Sequence, residues 1–306
     1  MEFLRNFDRQ KLQRIALILI AALTLLALVL LLVIIISSVE GSTNPGGFFG
    51  NNNVNIEFED LTISDSHLNN GSLLLINNSH KYEIPDDLNL VTIYEYRDSH
   101  SSDLPYIISE MYKMKMEIIS LENAHSMLCD MGSSTSNDDI CITSAFRSHS
   151  DQSGLSVAAG YSDHHSGMLI SIKAKSGTLA EENTTWLNKN AHKYGFVVRY
   201  PADKTEITNV LDYTNAYRYV GVAHAKYMVE NNLCLEEYVA YLKTNTSNSN
   251  PLSVKTDDGS VYYVYYTAAA AGDNIKVPAS SNGIKTYDYT VSGTNDGGVV
   301  VTVKVK

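Results

Sequence analysis

The chain has 306 residues, of which 44% are hydrophobic and 19% are charged, values typical of a globular protein. Its net charge of -11 and its isoelectric point near 5.2 argue against binding to nucleic acid and against adhesion to anionic lipid through a basic face. The cysteines, Cys129, Cys141 and Cys234, form no CxxC pattern. Their spacing leaves open a Cys129–Cys141 disulfide or three small buried thiols.

Residues 15–36 form an apolar run of Ile, Leu, Val and Ala that only Thr24 interrupts. At about 1.5 Å per residue, such a helix spans the roughly 30 Å of hydrocarbon in a bilayer. The four basic side chains from Arg5 to Arg14 favour a cytoplasmic N-terminus. A cleaved signal peptide is the rival interpretation, but its apolar core would be only about 7–15 residues long. We therefore expect an uncleaved single-pass anchor in the cell membrane.

Composition divides the chain into five predicted segments. They are a cytoplasmic N-terminus over 1–14, a transmembrane helix over 15–37, an extracytoplasmic linker over 38–69, a main domain over 70–245 and a small β-rich C-terminal appendage over 246–306. The linker is assigned from the run GSTNPGGFFGNNN, which is poor in apolar residues, and TNTSNSNP separates the appendage from the main domain. The main domain and the appendage are thus predicted to lie outside the cytoplasm.

Apolar periodicity predicts the elements of these two parts. Helices are expected over 107–119, 121–131, 180–194, 223–231 and 235–243, and strands over 73–76, 140–146, 196–200, 262–267, 286–292 and 299–305. This mixed order of helices and short strands predicts an α+β fold. The appendage is expected to pack on the main domain or on a partner.

Two neighbouring stretches carry the residues suited to chemistry. SAFRSHSDQ begins at Ser144 and contains Arg147, whose planar guanidinium suits a carboxylate. GYSDHHSGMLISI begins at Gly160 and contains the pair His164 and His165. These are ingredients of a metallopeptidase that recognises a free peptide C-terminus.

With these stretches in place, the chain resembles the zinc-dependent D-alanyl-D-alanine carboxypeptidases of the VanY type over about residues 70–245. The resemblance is carried in order by GSLLLINNSHKYEIP, SAFRS, SDHHSG, WLNKNAHKYGFVVRYP, YRYVGVAHA and LCLEEYVAYL. It implies a small mixed domain with a central antiparallel sheet flanked by helices. It also implies a bacterial cell-wall protein whose substrate class is the peptidoglycan stem peptide, from which this family removes the terminal D-Ala.

The family holds zinc through the motifs S-x-H-x-x-G-x-x-x-D and E-x-x-H. Ser162 and His164 match the first motif, but Ser171 stands at its Asp position. In the second motif, Tyr213 stands at the position of the general-base Glu and Ala216 at that of the zinc-binding His. Two of the three metal ligands and the base are therefore replaced, and His164 is the remaining ligand.

The resemblance therefore implies a degenerate member, a pseudoenzyme. A single imidazole does not hold Zn²⁺ usefully, and Tyr is a poor base near neutral pH. No cofactor is expected unless a zinc site has been rebuilt from His165, His192, His224 or Asp212. A binding role can persist, because Arg147, Ser148 and Ser162, which the resemblance assigns to the substrate, are retained.

Three hypotheses follow. The leading one is an inactive protein at the outer face of the membrane that binds peptidoglycan stem peptides or a wall-associated partner protein. The second is an active, divergent carboxypeptidase with a rebuilt zinc site. The third is a structural module with a filled groove, in which His164 is a satisfied histidine and Arg147 pairs with an internal carboxylate such as Asp151.

Overall fold

The computed structural model describes residues 56–101, 105–110, 113–211, 213–281, 284–285 and 287–305. The predicted N-terminus, the transmembrane segment 15–37 and most of the predicted linker lie outside the described residues. Within the ranges given, no helix is long and apolar enough to cross a membrane. The described residues belong to one compact unit, Asn53–Lys306.

The secondary structure is mixed, as the sequence predicts. The strands are β1 (Phe58–Thr62), β2 (Leu90–Thr92), β3 (Ile107–Ile108), β4 (Lys115–Glu117), β5 (Cys141–Ser144), β6 (Leu169–Lys173), β7 (Phe196–Tyr200), β8 (Tyr213–Tyr219), β9 (Leu252–Lys255), β10 (Val261–Ala268), β11 (Asn274–Pro278), β12 (Ser280–Ser281), β13 (Ile284–Lys285), β14 (Asp288–Gly293) and β15 (Gly298–Lys304). The helices are α1 (Asp65–Asn69), α2 (Ile93–His100), α3 (Ile118–Thr135), α4 (His149–Gln152), α5 (Glu181–Asn190), α6 (Thr205–Thr208), α7 (Val222–Glu230) and α8 (Leu235–Asn245). Short 3₁₀ turns cover Asp163–Ser166, Ala191–Tyr194 and Ala202–Lys204.

The central sheet has the order β3-β5-β6-β8-β7. β3 runs parallel to β5, and the other neighbours are antiparallel. The first four residues of β6 are all buried, so this strand is covered on both faces. One core cluster joins the sheet to α3 and α5, and it includes Ile142, Ile170, Leu128 and Leu187. The antiparallel sheet flanked by helices is therefore confirmed, apart from the parallel edge strand β3.

Helix α3 confirms the prediction over 121–131, with Leu121, Ala124 and Leu128 buried on one face. The helix predicted over 107–119 is wrong, because that stretch contains β3 and β4. Its apolar residues fit a strand equally well. Met114 and Met116 are buried on either side of the exposed Lys115, the alternation of a strand with one covered face.

The strand predicted over 73–76 is also wrong in type, although the segment is fully buried. Its backbone is bound irregularly by the end of the C-terminal hairpin. The N–H of Leu73 donates to Ser292 Oγ at 2.9 Å, and the N–H of Leu75 donates to the carbonyl of Thr294 at 3.0 Å. Burial without a regular ladder explains why an apolar run alone suggested a strand.

The C-terminal sheet has the order β14-β15-β10-β9, and it packs on the main domain through a shared core cluster. Three of its strands confirm the predictions over 262–267, 286–292 and 299–305, with shifted ends. The tyrosine-rich strand β10 is covered on both faces. Val264 and Tyr266 pack in a cluster with α7 and α8, while the Tyr265 hydroxyl donates to the carbonyl of Lys276 at 2.6 Å on the other side.

The strand β1 pairs with β11, so residues that we assigned to the linker belong to the folded unit. Ile56 and Ile63, at the two ends of β1, are both buried. The predicted linker over 38–69 is therefore too long at its C-terminal end, because the strand and helix α1 add an outer layer to the C-terminal sheet. Cys129, Cys141 and Cys234 are free thiols, so the possible Cys129–Cys141 disulfide is absent.

Candidate active site

The candidate site lies where β6 and β8 run side by side. Ser171 on β6 is the register partner of Ala216 on β8, and His164 lies on the 3₁₀ turn that leads into β6. The fold thus brings together motif positions that extend from 164 to 216 and are up to 52 residues apart in the sequence. A pocket of about 420 Å³ opens here, and its lining includes Arg147, Ser162, His164 and Tyr213.

The turn that carries His164 is anchored by a buried ion network. The Asp163 carboxylate accepts hydrogen bonds from the Nε atoms of Arg199 on β7 and Arg218 on β8, the latter at 3.0 Å. Arg199 in turn donates to both carboxylate oxygens of Glu236 on α8, at 2.7 and 3.0 Å. Burial would raise the pKa of Asp163, but the positive charges of Arg218 and Arg199 outweigh it and lower that pKa.

Sequence reasoning missed these four charged residues. Arg199 and Arg218 lie inside the apolar strands FVVRY and YTNAYRY, where an arginine must be paired if its side chain points inward. The Asp in SDHH was a second sign, because it directly precedes His164. Removal of one partner from such a network leaves an uncompensated buried charge, which costs several kcal/mol. The network therefore holds the turn that carries His164 in place.

His164 is almost fully buried, and its two ring nitrogens have different surroundings. Nδ1 lies 2.6 Å from the carbonyl oxygen of Ala145, which can only accept a hydrogen bond. Nε2 is buried and has no partner among the described residues. Burial, and then the positive charge of Arg147, lower the pKa of His164 to about 3. It is therefore not the satisfied histidine that one hypothesis assumed.

Two hydroxyl groups lie at the positions where the resemblance places carboxylates. The Oγ atom of Ser171 and the phenolic oxygen of Tyr213 are 2.6 Å apart. The tyrosine ring is tilted against that of Tyr200, with 5.9 Å between the ring centroids. The Ala216 side chain is fully buried and offers only a methyl group.

This set of residues does not fit a zinc ion. Catalytic zinc takes three protein ligands from imidazole, thiolate or carboxylate groups. The site supplies one imidazole, from His164, together with two hydroxyls and a methyl group. Throughout the part of the chain that the structure describes, no group of three or more His, Cys, Asp or Glu could hold a metal ion.

The candidates for a rebuilt site have structural partners. His165 donates from Nδ1 to the backbone carbonyl of residue 147 at 2.7 Å and accepts at Nε2 from a backbone N–H at 3.0 Å. His192 lies 3.2 Å from the carboxylate of Asp257. His224 is buried and bonded to one tyrosine and one threonine hydroxyl. Asp212 lies outside the described residues.

Arg147 lines the pocket, and its guanidinium is held by neutral groups. Nη1 donates to Gln152 Oε1 at 3.2 Å and Nη2 donates to Ser144 Oγ at 2.6 Å. The suggested pair with Asp151 is absent, because that carboxylate accepts from the backbone N–H and the hydroxyl of Ser148 at the start of α4. Ser148, which we expected to bind substrate, is occupied by this cap and does not line the pocket.

The rim of the pocket is apolar and open to solvent. Leu211 is 81% exposed and Leu155 is 49% exposed, and both line the pocket together with Val157 and Val210. Large exposed aliphatic side chains beside a polar cleft are typical of a surface that contacts a ligand. Sequence reasoning did not single out these residues.

A second cavity, of about 510 Å³, lies between the end of β8 and the C-terminal sheet. Its lining includes Glu117, Tyr219, Val291 and Thr302 and contains none of the motif positions. The cavity is therefore separate from the candidate site.

Comparison with known proteins finds a family match over this region. Residues 153–222 match the family model VanY, D-alanyl-D-alanine carboxypeptidase, and this range contains both motif regions. A D-alanyl-D-alanine carboxypeptidase of Enterococcus faecium is 28% identical over 269 residues, which cover 85% of this chain and 84% of the relative. A second one, from Enterococcus faecalis, is 42% identical over 81 residues, which cover 26% of this chain and 30% of the relative.

One solved structure shares the fold over most of the chain. It is the vancomycin resistance D,D-dipeptidase VanXYg in complex with a D-Ala-D-Ala phosphinate analogue, with a TM-score of 0.66 and 22% sequence identity. The match covers 81% of this chain and 99% of that one. At this level of identity the likeness establishes the fold.

Proposed function

We propose that this chain, which belongs to the VanY family of D-alanyl-D-alanine carboxypeptidases, is a catalytically inactive member that binds peptide ends of peptidoglycan. The observation that carries this proposal is the hydrogen bond of 2.6 Å between Ser171 and Tyr213, beside the methyl group of Ala216. These three residues stand where the resemblance places two metal ligands and the general base.

Loss of hydrolysis follows from the chemistry of those side chains. A zinc peptidase needs three ligands to hold the ion, and the ion lowers the pKa of a bound water to about 7. It also needs a carboxylate to take the proton of that water. A neutral serine hydroxyl, a phenol and a methyl group supply neither function at neutral pH.

Binding is supported by what the pocket keeps. The guanidinium of Arg147 lines the pocket and is bonded to the neutral side chains of Gln152 and Ser144. No carboxylate of the described residues forms an ion pair with it. The apolar rim at Leu155 and Leu211 suits small aliphatic side chains such as alanine methyl groups. A short peptide with a free carboxylate and small apolar residues matches both features.

The proposal is tested by calorimetry with the purified full-length chain and a peptide that ends in D-Ala-D-Ala. We expect binding to the free acid, much weaker binding to the same peptide with a C-terminal amide, and no release of D-alanine. Arg147→Ala should abolish the preference for the acid. Lys113→Ala, which removes an exposed cation outside the pocket, is the matched control and should leave it unchanged. Equal binding of acid and amide would contradict the proposal.

We also propose that segment 15–37 anchors the chain in the cell membrane with the folded unit outside the cytoplasm. The support is the length and apolarity of the segment and the basic residues before it. Protease added to intact cells should digest a tag placed after Lys306 and spare a tag at Met1. The reverse pattern would contradict this orientation.

A wall-associated protein is the alternative partner of the pocket. A cross-link from the rim at Leu211 to protein rather than to stem peptide would favour this alternative.

A further inference from the structure

We infer that His164 no longer acts as a metal ligand and instead accepts a hydrogen bond from the backbone N–H of the terminal residue of the bound peptide. This inference rests on the proposed function, since it assigns a further contact within the same pocket. It concerns a ring nitrogen, Nε2, that is buried and without a partner among the described residues. A buried polar atom of this kind costs free energy unless a ligand or water satisfies it.

The identity of the acceptor follows from the other ring nitrogen. A carbonyl oxygen can only accept, so Nδ1, at 2.6 Å from the carbonyl of Ala145, must carry a hydrogen. In a neutral imidazole only one ring nitrogen carries a hydrogen, so a hydrogen on Nδ1 leaves Nε2 without one. Nε2 therefore presents a lone pair, and it can bind a donor but not a carbonyl or a carboxylate.

The position of this lone pair relates it to Arg147. Both side chains line the pocket, and the backbone N–H of Arg147 donates to the carbonyl of His164 at 3.3 Å, so the two residues are held next to each other. In a peptide, the terminal carboxylate and the N–H of the same residue are attached to one Cα atom. A terminal residue whose carboxylate meets the guanidinium thus carries the donor that Nε2 lacks.

The neighbouring hydroxyls do not satisfy this nitrogen. Ser171 and Tyr213 are bonded to each other at 2.6 Å, and Nε2 has no hydrogen-bond partner among the described residues. The ligand class is therefore a peptide with a terminal amide bond. An ester of the same shape, in which oxygen replaces the N–H, would place an oxygen lone pair against that of Nε2.

The test compares a peptide that ends in D-Ala-D-Ala with its ester analogue, by calorimetry on the full-length chain after treatment with a chelator. For the wild-type protein, we expect the ester to bind about 10- to 100-fold more weakly, because its binding leaves the buried acceptor unpaired. In His164→Leu, the ratio of the affinity for the amide peptide to that for the ester should fall to near 1. In His164→Gln, whose side-chain oxygen can also accept, much of the ratio should return. If a variant fails to fold, the amide-to-ester affinity ratio of the wild-type protein still tests the role of His164.

The outcomes separate this inference from the proposed function. Equal affinity of the wild-type protein for amide and ester would overturn the role of His164 and leave peptide binding intact. Binding that disappears on chelation and returns with Zn²⁺ would also overturn it, because His164 would then be a metal ligand. If neither ligand bound, the proposed function would fail and the inference with it.

Discussion

The Ser171 hydroxyl and the Tyr213 phenol form a hydrogen bond of 2.6 Å between β6 and β8. The bond joins the two positions at which the resemblance to the VanY-type carboxypeptidases places a metal-binding Asp and a general-base Glu. The two substitutions thus act together, since each hydroxyl supplies the partner that the other needs in a part-buried site. The result is a hydrogen-bonded pair of hydroxyls of which one, that of Tyr213, belongs to a residue lining the pocket.

The energetic coupling of this pair is measurable by a double-mutant cycle. Ser171→Ala and Tyr213→Phe should each lower the free energy of unfolding, and the coupling energy between them should be about 1 kcal/mol. The matched control pairs Ser171→Ala with Tyr217→Phe, which lies on the same strand and is not bonded to Ser171. Those two changes should be additive in urea unfolding. Additivity of the first pair would show that the hydroxyls do not interact.

Introducing the groups that the resemblance places at these positions should create a zinc site. In Ser171→Asp with Tyr213→Glu and Ala216→His, the new Asp and His side chains stand on register partners of adjacent strands, with Cβ atoms about 4.5–5.5 Å apart. We expect this triple variant to retain one Zn²⁺ per chain after dialysis, as measured by elemental analysis. Adding His164→Ala should remove the metal. A folded triple variant that holds no zinc would contradict the assignment of these positions.

The buried carboxylate of Asp163 should dominate the stability of the site. Asp163→Asn leaves two buried guanidinium groups, those of Arg199 and Arg218, with reduced compensation. Removing one partner of such a network costs about 3–5 kcal/mol. The control Asp203→Asn, on an exposed carboxylate that accepts from Asn232, should change stability little. Equal effects of the two variants in denaturant unfolding would show that the network is unimportant.

His224 should make the protein less stable in acid. Burial lowers the pKa of His224 to about 3, whereas an unfolded histidine titrates near 6.5. As pH falls from 6.5 towards 3, the unfolded state binds a proton that the folded state excludes. The free energy of unfolding therefore falls by up to about 1.4 kcal/mol per pH unit for this group.

The variant His224→Gln tests this origin. Replacing the buried His224 should make the dependence of stability on pH shallower over that range. Identical slopes of unfolding free energy against pH for the wild type and His224→Gln would contradict this role of His224.

The sequence was sufficient for elements whose pattern is local. Helix α3 and strand β7 follow from apolar spacing, although the helix continues through Gly132 to Thr135. The helix predicted over 107–119 was wrong, because the alternation of buried and exposed residues around Met116 also fits a helix over a few residues. Pattern alone does not separate the two when the strand has only three residues.

The remaining parts depend on contacts between distant segments. Strand β1 is recognisable only through its pairing with β11, more than 200 residues away, for which Phe58 and Pro278 are register partners. The ion network around Asp163 likewise joins four separate stretches of chain. The partnerless Nε2 of His164 is a property of the packed site, so no local pattern could have indicated it.

The release of D-alanine from a peptide ending in D-Ala-D-Ala tests the central claim most directly. The purified full-length chain would be incubated with this peptide and added Zn²⁺, at a protein concentration at which calorimetry detects binding. We predict that no D-alanine is released above the buffer control, because Ser171, Tyr213 and Ala216 supply neither metal ligands nor a base. Release that a chelator abolishes and that His164→Ala eliminates would contradict the account.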